Sequence, residues 1–205
     1  MTFLTFLAAA VILAITPGPG IAYVVARTVA GGRAEGLASC LGTAAGGMLH
    51  VIAAATGLSF LVAQSAMAFT LVKVVGALYL IWLGLRLLLQ KDREGAPAEV
   101  AAQGPRRALM EGIVVEALNV KTALFFLAFL PQFIQASEPV VPQIVLLGTI
   151  CVALNTLVDV AAVLSSTRLL ASGAARVARE RWLRRLSGGT ILGLGVLLAV
   201  SKRGS

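Results

Sequence analysis

The sequence predicts an all-α integral membrane protein of six transmembrane helices, and three observations carry that prediction. The 205 residues are 59% hydrophobic and 13% charged, where soluble domains run nearer about a quarter charged. Mean hydropathy is +0.93, and the apolar residues gather into long runs. The basic residues lie mainly in the short segments between those runs, and in alternate ones. A net charge of +8 would also suit a nucleic-acid binder, but that spacing reads as a topology signal, and no nucleic-acid partner is expected.

A bilayer core of about 30 Å takes about 20 apolar residues in a helix, which places spans at 3–26, 37–62, 66–89, 108–133, 142–167 and 186–201. The first run carries no charge for 24 residues. It has no basic leader and exceeds a signal-peptide core, so it is read as a retained helix. The sixth span is the shortest and rises only about 24 Å, so Arg185 and Lys202 would snorkel outward from its ends.

Connections 27–36, 86–107 and 168–185 hold two, five and six of the 17 basic residues. The positive-inside bias puts those three in the cytoplasm and both termini outside. Residues 90–107 form a polar linker with Gly and Pro at both ends. It divides one membrane domain into a first three-helix half (1–89) and a second (108–205). Halves with an odd number of spans insert upside down relative to each other. Leu41-Gly42-Thr43 in the second span returns as Leu147-Gly148-Thr149 in the fifth. Together these predict a 3+3 inverted repeat.

Several residues sit where a membrane helix should not carry them. Thr16-Pro17-Gly18-Pro19-Gly20 interrupts the first span. Pro17 and Pro19 have no N–H for the carbonyls of Leu13 and Ile15, and freed carbonyls in lipid require a protein or polar-cavity partner. The interruption is either a packing kink or a broken helix offering those carbonyls to a substrate. Span four carries Glu116, Asn119 and Lys121 at lipid depth, where each charge costs about 2.5–3.5 kcal/mol. Glu111 and Glu116 could equally belong to structural ion pairs near the interface. Asn155 and Asp159, four apart on one face of span five, lack a local basic partner, and Lys121 is the candidate from another helix. His50, the sole histidine, is either a structural donor or a proton relay.

Other features read as architecture. Gly42-xxx-Gly46 and Gly189-xxx-Gly193 are close-packing faces. Lys73, Tyr79 and Trp82 suit an interfacial anchor, and the arginines of 176–185 suit contact with anionic lipid. The sequence has no phosphate-cradling loop, no His/Cys metal cluster and no Ser/His/Asp arrangement, so neither enzyme chemistry nor a cofactor is expected.

Thr16-Pro17-Gly18-Pro19, the Lys73-xx-Gly76-Ala77-x-Tyr79-Leu80-x-Trp82-Leu83-Gly84 stretch, and Leu118-Asn119-Val120-Lys121-Thr122 continuing to Leu130-Pro131-Gln132-Phe133 resemble the LysE/RhtB family of amino-acid exporters. The resemblance runs almost end to end. It implies export of lysine, arginine, homoserine, threonine, leucine or related metabolites from a bacterium across its inner (plasma) membrane, driven by the proton gradient as an antiport. The family's Asn-Pro-Lys is Asn119-Val120-Lys121 here, which implies a shallower break in span four. Single acidic and basic groups near the midplane favour a neutral amino acid as cargo. Thr16, Pro17, Gly18, Pro19, Asn119, Lys121 and Asn155 are the expected substrate-binding residues. Lys121 would take the carboxylate, and the freed carbonyls with Asn119 the ammonium. Asp159, then Glu116 and His50, are the proton-coupling candidates. Expected partners are the amino acid, protons and membrane lipid, and a homodimer is compatible with the reading. The rivals are a membrane thiol–disulfide oxidoreductase using Cys40 and Cys151, one per half, export of a metal ion, and a non-transporting membrane factor.

The charge alternation makes a direct prediction. In a cysteine-free background, single cysteines at positions 97 and 176 should resist an impermeant thiol reagent applied to intact cells, and one at position 137 should react. Labelling of either of the first two from outside, or none at 137, would reverse the orientation.

Overall fold

The computed structural model describes residues 3–64, 101–135 and 137–169, with isolated helical positions between 74 and 89 and between 189 and 196. The predicted spans at 66–89 and 186–201, most of the linker and the arginine-rich segment 176–185 therefore lie almost entirely outside the described residues. All described regular structure is helical.

Helix α1 (Phe3–Ile15) is built from Leu, Ala and Phe and stops where the first proline removes its next donor. Thr16 precedes Pro17 and Gly18 precedes Pro19, and a residue before proline is driven from helical geometry. Pro19 then opens α2 (Pro19–Gln64) as its first residue, where its missing N–H costs no bond. The predicted first span is thus two helices end to end.

Inside α2 the chain reverses at Gly32 (φ 72°, ψ −165°), a conformation open in practice only to glycine. The arms 19–31 and 33–64 pack antiparallel: a methyl group on Gly36 would strike Thr28, and one on Gly20 would reach Thr43. The connection expected over 27–36 is therefore helical on both sides of a one-residue corner. Gly32 absorbs the whole turn, so no longer loop is needed.

Gly104 (φ 87°) and Pro105 start α3 (Pro105–Ala117). After a break at Leu118 and Asn119 comes α4 (Val120–Leu124), continued by a π-helical turn over Phe125–Phe129 and a 3-10 turn over Leu130–Phe133. The two parts of this span meet at 43°. Finally α5 (Val140–Leu169) returns after a tight turn in which Gln143 bonds both the N–H and the carbonyl of Gln135, at 2.8 and 3.0 Å.

Small residues bring the backbones together. A methyl on Gly46 would lie 2.6 Å from the Ile113 carbonyl oxygen, and one on Gly112 would lie 3.0 Å from that of Ser39. Gly42 likewise meets Leu109 and Gly112, so the predicted Gly42-xxx-Gly46 face is the seat of α3 on α2. The apolar core joins Phe6, Leu13, Val51, Phe126, Phe129, Leu130 and Ile144. A smaller cluster holds Val24, Cys40 and Val163.

Among the described residues, large leucines stand outward on the helix faces while Lys121 and Asp159 lie inside. Leu4, Leu118 and Leu157 are 75%, 74% and 66% exposed, whereas Lys121 and Asp159 are 7% exposed. That inversion is what a lipid solvent selects. Helical stretches Pro19–Gly57 and Val140–Ser165 are long and apolar enough to cross a membrane, and the bent pair adds a third if read as one span.

At one end, Arg27 pairs with Glu111 at 3.1 Å and with Glu35 at 3.7 Å. Glu35 also accepts the N–H groups of Gln103 and Gly104 at 2.8 and 2.6 Å. Residues of the connections 27–36 and 86–107 thus meet at one end of the helices. Glu111 takes the structural-pair option left open by the sequence.

Since nothing lies within 4 Å of a methyl group built on Gly32, Gly32→Ala isolates the backbone term. It should destabilise the purified protein by about 1–3 kcal/mol. Gly57→Ala, in a helix and equally uncrowded, should change stability by no more than about 1 kcal/mol. Denaturation curves of both variants check the contrast.

Candidate functional site

The two broken helices meet, and the residues of the breaks complete each other. Lys121 stands at the start of α4 and sends its ammonium across to the end of α1. There Nζ donates to the carbonyls of Leu13 at 3.2 Å and Thr16 at 2.9 Å. Pro17 removes the usual helical donor of the Leu13 carbonyl, which keeps only a long 3.3 Å bond from the Thr16 N–H. The last carbonyls of a helix carry partial negative charge, so a buried cation is held there by neutral groups. Thr16, itself buried, closes the turn by donating from Oγ1 to Ile12 at 2.6 Å.

The glycines of the motif make room. A methyl on Gly18 would sit 3.1 Å from Lys121 Nζ, and one on Gly20 would sit 2.5 Å from Glu116 Oε2. Each residue of Pro17-Gly18-Pro19-Gly20 therefore has a separate task. Pro17 frees a carbonyl, Gly18 admits the ammonium, Pro19 opens the next helix and Gly20 admits a carboxylate.

Span four breaks at Leu118 and Asn119 with no proline at the break. Asn119 adopts an extended conformation (φ −75°, ψ 100°), and its side chain accepts the Lys121 N–H at 3.1 Å. Its Nδ2 donates to Glu116 Oε2 at 2.9 Å, and Thr122 Oγ1 donates to Glu116 Oε1 at 2.6 Å. The bend is thus written by an asparagine cap, and Val120 does not remove it. His50 Nε2 lies 2.8 Å from the Glu116 carbonyl. A carbonyl only accepts, so Nε2 carries the proton. The ring stacks on Phe126 with centroids 6.1 Å apart and caps the end of α3, and it is not among the residues that line the cavity described next.

That cavity lies between α1, α2, the broken span and α5. Its walls include Thr16, Gly20, Thr43, Glu116, Asn119, Lys121, Thr122, Asn155, Thr156 and Asp159. In this conformation it offers about 20 Å³, room for one or two waters. Asn155 and Asp159 face it from α5, as their four-residue spacing predicts, with Asn155 Nδ2 donating to the Cys151 carbonyl at 2.9 Å. Thr43 Oγ1 lies 3.0 Å from both Asp159 Oδ2 and the Cys40 carbonyl. A hydroxyl has one proton to donate. An ionised Asp159 takes that proton, and a protonated Asp159 donates to Thr43 and releases the hydroxyl proton to Cys40. The site accommodates both states.

One expectation is corrected here. Lys121 and Asp159 share the cavity, yet no ion pair joins them. The ammonium is satisfied by α1 and the carboxylate by Thr43. Pro17, Gly18 and Pro19 act through backbone and space and do not line the cavity. Cys40 and Cys151 are free and buried in separate apolar clusters, which does not favour thiol–disulfide chemistry. Among the described residues, no three of His, Cys, Asp and Glu gather as a metal site.

A model of the LysE type translocators matches residues 11–202. The chain belongs to the LysE type translocator family. An uncharacterised membrane protein of Vibrio cholerae is 31% identical, over 98% of this chain and 97% of its own length. The threonine efflux protein of Escherichia coli K12 is 27% identical over 98% and 99%. The homoserine/homoserine lactone efflux protein of Salmonella typhimurium is 29% identical over 77% and 78%. No solved structure matches.

In this LysE type translocator, sequence reasoning missed Thr43, Thr122, Thr156 and Gly20 as parts of the site. Thr43 stood in the sequence only as the last residue of one copy of a repeated tripeptide. Thr122 is six residues from Glu116, a spacing that no continuous helix brings together, so only the break reveals it.

Stripping Glu116 of a donor tests that cluster. Thr122→Val should cost about 1–3 kcal/mol. In a Glu116→Ala background it should cost far less, since the acceptor is gone. A double-mutant cycle on thermal stability measures the coupling, and additive costs would mean the two groups do not interact.

Proposed function

We propose that this chain is a secondary active exporter of small neutral amino acids, working as a proton antiporter in the bacterial plasma membrane. The observation that carries the reading is the polar cavity between two broken helices, lined by one ammonium, two carboxylates and two amides. Such a set matches a zwitterion better than a simple cation, and family membership with relatives named for efflux of threonine and of homoserine supports it. Homoserine and its lactone, both in one relative's name, share an amino group while only the first has a free carboxylate. Recognition therefore centres on the ammonium.

The architecture proposed is six spans in a 3+3 inverted repeat, with halves 1–89 and 108–205 joined by a cytoplasmic linker at 90–107. Broken helices in the first and fourth spans, equivalent positions in such a repeat, support it. Alternating access then comes from rocking of the halves about the cavity. Asp159 is the proton site: its hydroxyl partner Thr43 serves either protonation state, so a proton can come and go without leaving an acceptor bare. Thr16, Asn119, Asn155 and Lys121 contact substrate, and Glu116 orders the break beside them.

Cells with and without the expressed chain, challenged with toxic concentrations of single amino acids and dipeptides, test the reading. Protection against threonine, homoserine or leucine is expected, and no protection across the panel would remove it. Against the protective compound, Asp159→Asn should lose export and flatten its dependence on external pH. Export at the wild-type level by that variant would transfer the proton role to Glu116.

A further inference from the structure

The ammonium of Lys121 and the ammonium of an amino acid are the same chemical group, and the fold keeps the first in a cradle that fits the second. Leu13 and Thr16 offer their carbonyls at 3.2 and 2.9 Å, at the negative end of a half-helix that attracts cations. Neither carboxylate of the cavity is paired with Lys121. Glu116 is engaged by Asn119 and Thr122, and Asp159 by Thr43. The space left beside the ammonium, about 20 Å³, holds no amino acid, so something must leave before one enters. Gly18, whose absent side chain opens the cradle, lets a flexible side chain enter and leave without moving backbone.

We propose that the carbonyl pair closing α1 is the ammonium subsite for the exported compound, and that Lys121 occupies it as a tethered stand-in until substrate displaces it. This rests on the amino-acid export reading above. Once displaced, Lys121 keeps its charge and turns into the cavity, where the carboxylate of the incoming zwitterion receives it. The buried cation in the cradle is exchanged for another, and no uncompensated charge appears at either step. The ligand class is a primary ammonium, recognised through its N–H donors. A quaternary ammonium of equal charge is refused.

The test uses the full chain in lipid nanodiscs with methylammonium as probe, which has the donors and lacks a carboxylate. Tetramethylammonium controls for charge. Lys121→Met keeps the length of the side chain and empties the cradle. It should bind methylammonium at least about tenfold tighter than wild type, because a competitor present about nine-tenths of the time weakens apparent affinity by that factor. Tetramethylammonium should show no such gain. If Lys121→Met is not recovered folded, its recovery in membranes when methylammonium, but not tetramethylammonium, is in the growth medium is the supporting result. Equal responses of wild type and variant, or recovery with neither cation, overturn the proposal. The export reading fails separately. Wild type that protects cells against nothing, beside a variant that gains the methylammonium site, leaves an amine site without amino-acid export. Export by wild type with no gain in the variant removes the stand-in alone.

Discussion

A lysine ammonium taken out of water must recover its hydrogen bonds inside the protein, and in lipid it has few places to find them. Lys121 finds them on two carbonyls at the end of α1. Those carbonyls are in turn groups that a broken helix must satisfy. Each break supplies what the other lacks: one has carbonyls short of donors, the other a buried cation. Brought together they cancel, and a polar cavity persists between helices whose outer faces are leucine-rich.

Everything that packs around this contact serves to hold it. Gly32 folds α2 back on itself, so that Thr43 and Gly20 reach the same cavity from opposite arms. Gly42, Gly46 and Gly112 let α3 approach α2 at backbone distance, which brings Glu116 to the space vacated at Gly20. Phe126 lines the cavity and stacks on His50, whose Nε2 completes the end of α3. The cavity is small because each polar group in it is already partnered, and a transport cycle is a sequence of exchanges among those partners.

Much of this was legible in the sequence. Pro17 and Pro19 predicted the first break, since a proline nitrogen cannot donate. Asn155 and Asp159 predicted a shared face from their four-residue spacing, and Gly42-xxx-Gly46 predicted close packing. The second break was only half legible. Val120 stands where the resemblance implied a proline, and the Asn119 side chain, which caps Lys121, carries the bend. Illegible were contacts that depend on where the chain turns: the corner at Gly32, the reach of Thr122 to Glu116 across the break, and the choice of Thr43 over Lys121 as partner of Asp159. Charge complementarity proposed an ion pair, and the two carbonyls at the end of α1, short of their helical donors and within reach of Lys121, decided otherwise.

The most direct measurement of this account is solid-state NMR on the wild-type chain in lipid, with lysines labelled at ζ-¹⁵N. One sample carries ¹³C-carbonyl leucine and threonine, and a second carries aspartate labelled at the side-chain carboxyl. Dipolar dephasing of the Thr16 and Leu13 carbonyls by a lysine Nζ, absent in Lys121→Met, is the predicted result. Dephasing of the Asp159 carboxyl in the second sample, with none at Thr16 or Leu13 in the first, would restore the ion pair and contradict the cradle.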